Sequence, residues 1–179
     1  MVYTAYYNSP IGELLLAEKD GALVGVWMKD QKYFMGSLQE ETKECSETPV
    51  LNQAKKWLDR YFAGEKPAIA ELKLAPVGGA FRQAVWQILC QIPYGQTMTY
   101  GEIGKQIAAQ RGQSRMSAQA VGGAVGHNPI SIIIPCHRVV GTNGSLTGYA
   151  GGIEKKIRLL TLEGVTMERL YVPAKGTAL

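Results

Sequence analysis

Histidine and cysteine are scarce in this chain: two histidines (His127, His137) and three cysteines (Cys45, Cys90, Cys136) occur among 179 residues. No two cysteines form a C-x-x-C pair, and so few nitrogen and sulfur donors cannot assemble the usual ligand sets, so no metal site is expected. Their odd number and wide separation argue against a disulfide framework and fit a reducing compartment. No apolar run approaches the roughly 20 residues that span a bilayer, and no membrane association is expected. The opening MVYTAYYNSPIGE lacks the basic-then-apolar layout of a secretory leader, so a cytoplasmic protein is expected. Nothing in the motifs calls for a cofactor.

What is present is a globular composition, 46% apolar, at a length that suits one large domain or two small ones. The net charge of +4 is unevenly divided. Residues 1–75 carry 9 basic and 11 acidic side chains, whereas residues 76–179 carry 10 basic and 4 acidic ones. A basic C-terminal half suits a polyanionic partner, since each lysine or arginine set near phosphate displaces condensed counterions. From charge alone, a merely solvated basic face fits equally.

The texture also changes between the halves. VYTAYYN, the SPIG turn, ELLLAEKD, an Asp20-Gly21 turn and ALVGVWM read as an antiparallel meander. A helix then follows, with Thr48 as N-cap, Pro49 at its first position, Leu51, Ala54, Leu58 and Tyr61 at helical spacing, and Gly64 at its end. GEKPAIAELKLAP is a polar, proline-marked connection, and this half reads as scaffold. The second half reads as short helices with strong stops. GAFRQAVWQILCQI has an apolar face at Phe81, Val85, Ile88, Leu89 and Ile92, which makes Cys90 a core residue. TYGE is a capping box, Thr99 with Glu102, and Ser117 caps a further helix, AQAVGGAV. Helix, turn, helix is an order shared with DNA-binding modules. The second helix is almost entirely small residues, which suits tight helix packing or entry into a minor groove only about 6 Å wide. In IEKKIRLLTLEG, Ile153, Ile157 and Leu160 define one face, with Glu163 and Gly164 at the end. Domains are expected at 1–75 and 76–165, with 166–179 a peripheral tail.

Between these helices stands SIIIPCHRVVG, an apolar run ending in a thiol and an imidazole. A free cysteine has a pKa of about 8.5 and is a poor standing nucleophile at neutral pH. A basic partner and positive surroundings can lower that value by about two units. His137 is adjacent, but neighbours on an extended segment point to opposite faces, which leaves a water bridge as one solution. Glu163 is the candidate to orient the imidazole if its helix folds back under the site. Read from the residues alone, a buried inert cysteine remains open.

NP, then IPCHRVVG, with TYGEIG and AVGGA upstream and GYAGG and LEG downstream, resembles the O6-alkylguanine-DNA alkyltransferases, closely over residues 80–165 and loosely before them. The resemblance implies an α+β protein. Its N-terminal domain would be ribonuclease-H-like α/β, with a small antiparallel sheet, and its C-terminal domain a mostly helical winged helix-turn-helix. It implies a monomer that enters the minor groove of double-stranded DNA containing O6-alkylguanine and flips that base out. The alkyl group from O6, or from O4 of alkylated thymine, would pass irreversibly to Cys136 in a single turnover. His137 is implied as water-linked base, Glu163 as its orienting carboxylate, Asn128 as the hinge bracing the cysteine turn, and Tyr100 as proton donor to guanine N3. Ser117, Gln119, Ala120, Gly122 and Thr142 are implied at the DNA. Val139, Tyr149, Ala150 and Gly151 are implied around the base pocket, with carbonyls near Cys136 and Val139 accepting from the guanine amino group. Two positions depart from the family pattern: Gln119 stands where arginine often fills the gap left by the flipped base, and Ala150 where some members have serine. A non-catalytic DNA-binding module and a thiol hydrolase that turns over are the rival readings; the acceptor cysteine opposes the first, and the lack of a separate oxyanion motif the second.

Overall fold

Apolar-rich runs in the first 28 positions, separated by turns, build three antiparallel strands, β1 (Val2–Ser9), β2 (Gly12–Lys19) and β3 (Ala22–Met28). Asp20 and Gly21 both take positive φ, 51° and 79°, as a two-residue hairpin turn of this twist requires. The sheet is not purely antiparallel as expected: the short β4 (Thr42–Glu44) runs parallel to β1, giving the order β3-β2-β1-β4. Its three residues are all exposed, so no apolar alternation marks it in the sequence. The computed structural model describes residues 1–173 and divides into two compact units, residues 1–78 with 129–133, and residues 79–128 with those from 134 onward.

In the first unit, α1 (Pro49–Phe62) buries Leu51, Ala54, Trp57, Leu58 and Tyr61 and packs on the sheet. The Thr48 hydroxyl accepts from Leu51 N at 3.1 Å, which satisfies one of the orphan donors of the first turn. The connection after α1 is more than a linker. Leu23 and Lys73–Ala75 exchange backbone hydrogen bonds of 2.9 and 2.8 Å, and farther along β3, Val26 bonds Pro129 O and Ser131 N at 2.9 and 3.0 Å. The outer edge of β3 is thereby covered.

The second unit holds α2 (Ala80–Leu89), α3 (Tyr100–Gln110), α4 (Ala118–Gly126) and α5 (Ile153–Leu162). Two short parallel strands, β5 (Met98–Thr99) and β6 (Val139–Val140), accompany them. The reciprocal bonds of Thr99 and Glu102 cap α3, at 3.1 and 2.8 Å, and Ser117 caps α4. Trp86 of α2 donates its indole N–H to Ala124 O of α4 at 2.8 Å. Cys90 lies just past the end of α2 and is only partly buried. Helix α5 buries Leu160 of its expected face and packs half-buried Ile157 on the same cluster, and it also buries Lys156 and Leu159, while Ile153 is half-buried. The expected tail is packed through its first part. Met167 and Leu170 lie against Val140, Leu146 and Leu160, and Leu146 N donates to Tyr171 O at 2.8 Å; residues 174–179 of that tail lie outside the described residues. Among the described residues, no helix is long and apolar enough to cross a membrane.

Candidate functional site

Residues 129–140 are buried throughout, and Cys136 opens a single 3-10 turn, Cys136–Arg138, inside this run. Pro135, with φ −83° and ψ 64°, makes the tight three-residue turn that precedes it, closed by Cys136 N donating to Ile134 O at 2.8 Å. Asn128, at the end of α4, donates from Nδ2 to the same Ile134 oxygen at 2.8 Å and also hydrogen-bonds the cysteine thiol. One amide thus ties the end of α4 to the cysteine turn.

No hydrogen bond joins the His137 imidazole to the Cys136 thiol among the described residues. A 3-10 turn has three residues per turn, so successive side chains diverge by about 120°. His137 is fully buried and donates from Nε2 to Glu163 Oε2 at 2.5 Å. Its Nδ1 is buried and has no hydrogen-bond partner among the described residues. Glu163, at the end of α5, accepts three further bonds: Gly95 N to Oε1 at 3.1 Å, Arg138 Nε to Oε1 at 2.7 Å and Arg138 Nη2 to Oε2 at 3.2 Å. Burial pushes the Glu163 carboxyl up, but the hydrogen bonds from His137 and Arg138 and the Arg138 charge outweigh it and hold it at about 2. Burial lowers His137 in turn, against the pull of Glu163, so the resting imidazole is neutral.

Burial also dominates at the thiol and raises it above the usual cysteine range. The Asn128 amide, the Lys156 ammonium and the backbone N–H groups of Cys136 and His137 act the other way without reversing it. Removal from water thus costs the thiolate more than its neighbours return. Lys156 and Arg138 carry no sequence signal, as charged residues at helical or strand positions are ordinarily solvated. Lys156 has no exposed surface and donates from Nζ to Val139 O at 2.5 Å and to Thr147 O at 3.1 Å. Burial depresses it to about 8.

Tyr100, at the first position of α3, is buried and its hydroxyl lies 3.1 Å from both Thr147 O and Gly148 O. Burial, and secondarily the charge of Cys136, raises it well above the phenol range. The 147–151 loop, with Tyr149, Ala150 and Gly151, is half-buried. The Val139 and Cys136 carbonyls are each already engaged, by Lys156 Nζ and by Val139 N, so each has one lone pair left. On α4, Ser117, Gln119 and Ala120 are exposed, whereas Gly122 is buried and so lies on the packed side of the helix. A Cβ at half-buried Gly123 would meet no atom within 4 Å. Thr142 is exposed beyond β6. The structure thus gathers Asn128, Cys136, His137, Glu163 and, across the 147–148 carbonyls, Tyr100, and leaves Gln119 and Thr142 at the surface. No group of three or more His, Cys, Asp or Glu among the described residues could hold a metal.

Residues 80–165 match the DNA-binding domain of 6-O-methylguanine DNA methyltransferase, and residues 2–76 match its ribonuclease-like domain. The methylated-DNA--protein-cysteine methyltransferase of Haemophilus influenzae is 40% identical over 164 residues, 92% of this chain and 87% of that protein. Its counterpart in Methanosarcina acetivorans is 43% identical, over 91% of this chain and 99% of that protein. Among solved structures, Mycobacterium tuberculosis OGT in complex with DNA superposes with a TM-score of 0.75 at 41% identity, covering 90% of this chain and 93% of that one. Two domain matches in tandem and relatives of this identity over nearly the whole length lead to one conclusion: the chain belongs to the 6-O-methylguanine DNA methyltransferase family.

Proposed function

We propose that this protein reverses DNA alkylation directly, moving the alkyl group of O6-alkylguanine, or of O4-alkylthymine, onto Cys136 in a single turnover. The observation that carries this reading is the buried Cys136 turn backed by His137 and Glu163. His137 Nδ1, through an intervening water, takes the thiol proton, and the imidazolium formed is met by the Glu163 anion. The new thiolate is stabilised by Lys156 and by the N–H groups of Cys136 and His137. Sγ attacks the alkyl carbon, the carbon–O6 bond breaks, and guanine leaves with a proton supplied at N3 by Tyr100. For that donation the Tyr100 hydroxyl turns from the Thr147 and Gly148 carbonyls to the base. The proton taken up by His137 returns through water to the Tyr100 phenolate, so the step balances without a cofactor, and the thioether formed does not release its alkyl group at neutral pH, so the protein is consumed.

The monomer binds duplex DNA with α4 in the minor groove. Exposed Ser117, Gln119 and Ala120 near its start, and Thr142, support that docking, and the loop of Tyr149, Ala150 and Gly151 borders the flipped base. Gly122 acts from beneath, by packing. The lesion is poorly paired, which reduces the few kcal/mol that extrusion costs. A cytoplasmic site of action agrees with three free thiols.

Intact mass spectra after mixing the protein with an O6-methylguanine duplex test this reading. One methyl per chain, mapped to Cys136 and independent of excess substrate, is expected; turnover, or label on Cys45 or Cys90, overturns it.

A further inference from the structure

Arg138 follows His137 directly, and its guanidinium turns wholly inward. Nε and Nη2 fork onto the two oxygens of Glu163 at 2.7 and 3.2 Å, and Nη1 donates to Ile92 O at 2.6 Å. Its carbon lies 5.7 Å from the centre of the Tyr94 ring. Only 7% of the residue is exposed. We propose that Arg138 is a positioning residue for alkyl transfer: it fixes the Glu163 carboxylate against His137 Nε2 and keeps the resting imidazole neutral, with its Nδ1 lone pair available. This rests on the reading of His137 as the base.

The argument is one of charge and geometry. A buried carboxylate with an imidazole as its only partner draws a proton onto that imidazole, and an imidazolium carries hydrogen on both nitrogens and cannot act as a base. A permanent cation on the same carboxylate satisfies its charge first. The planar guanidinium reaches both oxygens, so it also sets the plane of the carboxylate, which an ammonium cannot do as well. The other titratable groups facing this cluster are Lys156, whose positive charge also disfavours imidazolium, the Cys136 and Cys90 thiols, and the Tyr94 and Tyr100 phenols. Among the described residues, Glu163 is the carboxylate paired with His137. Loss of Arg138 therefore leaves Glu163 to His137 and moves imidazole protonation to higher pH. If Arg138 only braced the turn against Ile92, its loss would slow transfer equally at every pH.

Single-turnover methyl transfer from a duplex bearing one O6-methylguanine, followed by intact mass across about pH 5 to 8, separates these cases. Arg138→Met is expected to shift the acid limb upward by about one unit, a roughly tenfold loss on that limb, and Arg138→Lys to recover part of it. A uniform slowing, or an unchanged profile, overturns the proposal. Imidazole 15N resonances of the unmodified protein decide the case if Arg138→Met does not fold: the neutral Nε2–H tautomer at neutral pH is expected, and imidazolium or the Nδ1–H tautomer overturns it. Wild-type protein that accepts no methyl would instead remove the alkyl-transfer reading, while the 15N result would still report the state of the imidazole.

Discussion

Cys136 rests as a protected thiol, and the charges that would stabilise its anion are already in place around it. Glu163 anchors that arrangement and also links it to stability. Its carboxyl sits at about 2 in the folded protein and near 4.3 in an unfolded chain. A depressed carboxylate contributes stability that is complete above the unfolded value and is lost as pH falls toward the folded one, here on the order of 3 kcal/mol. Glu163→Gln should therefore be less stable than wild type at neutral pH, and the difference should shrink steadily below about pH 4. Denaturant titrations at several pH values check this, and a constant difference would show that the pair is not the source. The roles proposed for Cys136, His137 and Glu163 rest on their residue types and motif, and the pairing of His137 with Glu163 was suggested by the same signals. Arg138 and Lys156 could not, because burial of a charged side chain depends on partners far away in sequence: Ile92 and Glu163 for one, Val139 and Thr147 for the other.

Short elements place these residues, and their ends matter more than their lengths. Helix α3 begins at Tyr100, so the capping box of Thr99 and Glu102 sets the position of a residue at the site. Thr99→Ala removes the acceptor for Glu102 N and should cost about 1 kcal/mol, with a slower transfer if Tyr100 shifts from the Thr147 and Gly148 carbonyls. Thermal melts and single-turnover rates measure both, and an unchanged melt would mean that Glu102 alone suffices. These caps are local, three residues apart, and for that reason were legible. Strand β4 and the pairing of residues 73–75 with β3 were not, since both are backbone contacts that a polar or irregular segment makes once a sheet edge exists to receive it. The packed side of α5 is wider than its apolar stripe for a related reason: Lys156 within the helix and Glu163 at its end are drawn inward by carbonyls, His137 and Arg138.

Across the whole molecule, charge and chemistry are separable. On the proposed reading, the excess of basic residues beyond residue 75 acts on DNA through phosphate, whereas the thiol acts only on the lesion. Cys136→Ser should keep salt-dependent DNA binding while losing transfer, and a folded variant that no longer binds would give the cysteine a structural part. Gln119 is exposed on the first turn of α4, and in the proposed docking it brings no charge to the gap left by an extruded base. Gln119→Arg should tighten binding and speed duplex repair, leaving the reaction with free alkylguanine nearly unchanged. Equal effects on both substrates would place its influence in the pocket or in stability.

By itself, the sequence determined the first three strands, the helix starts and the family motif, because apolar runs, caps and reactive residue types are written within a few positions of one another. Only the tertiary structure decided that the thiol is raised by burial, that Gly122 faces the packed side, and that Lys156 and Arg138 are interior. Desolvation and satisfaction of buried polar groups depend on everything that surrounds a residue, and in this fold those surroundings come from segments tens of positions apart.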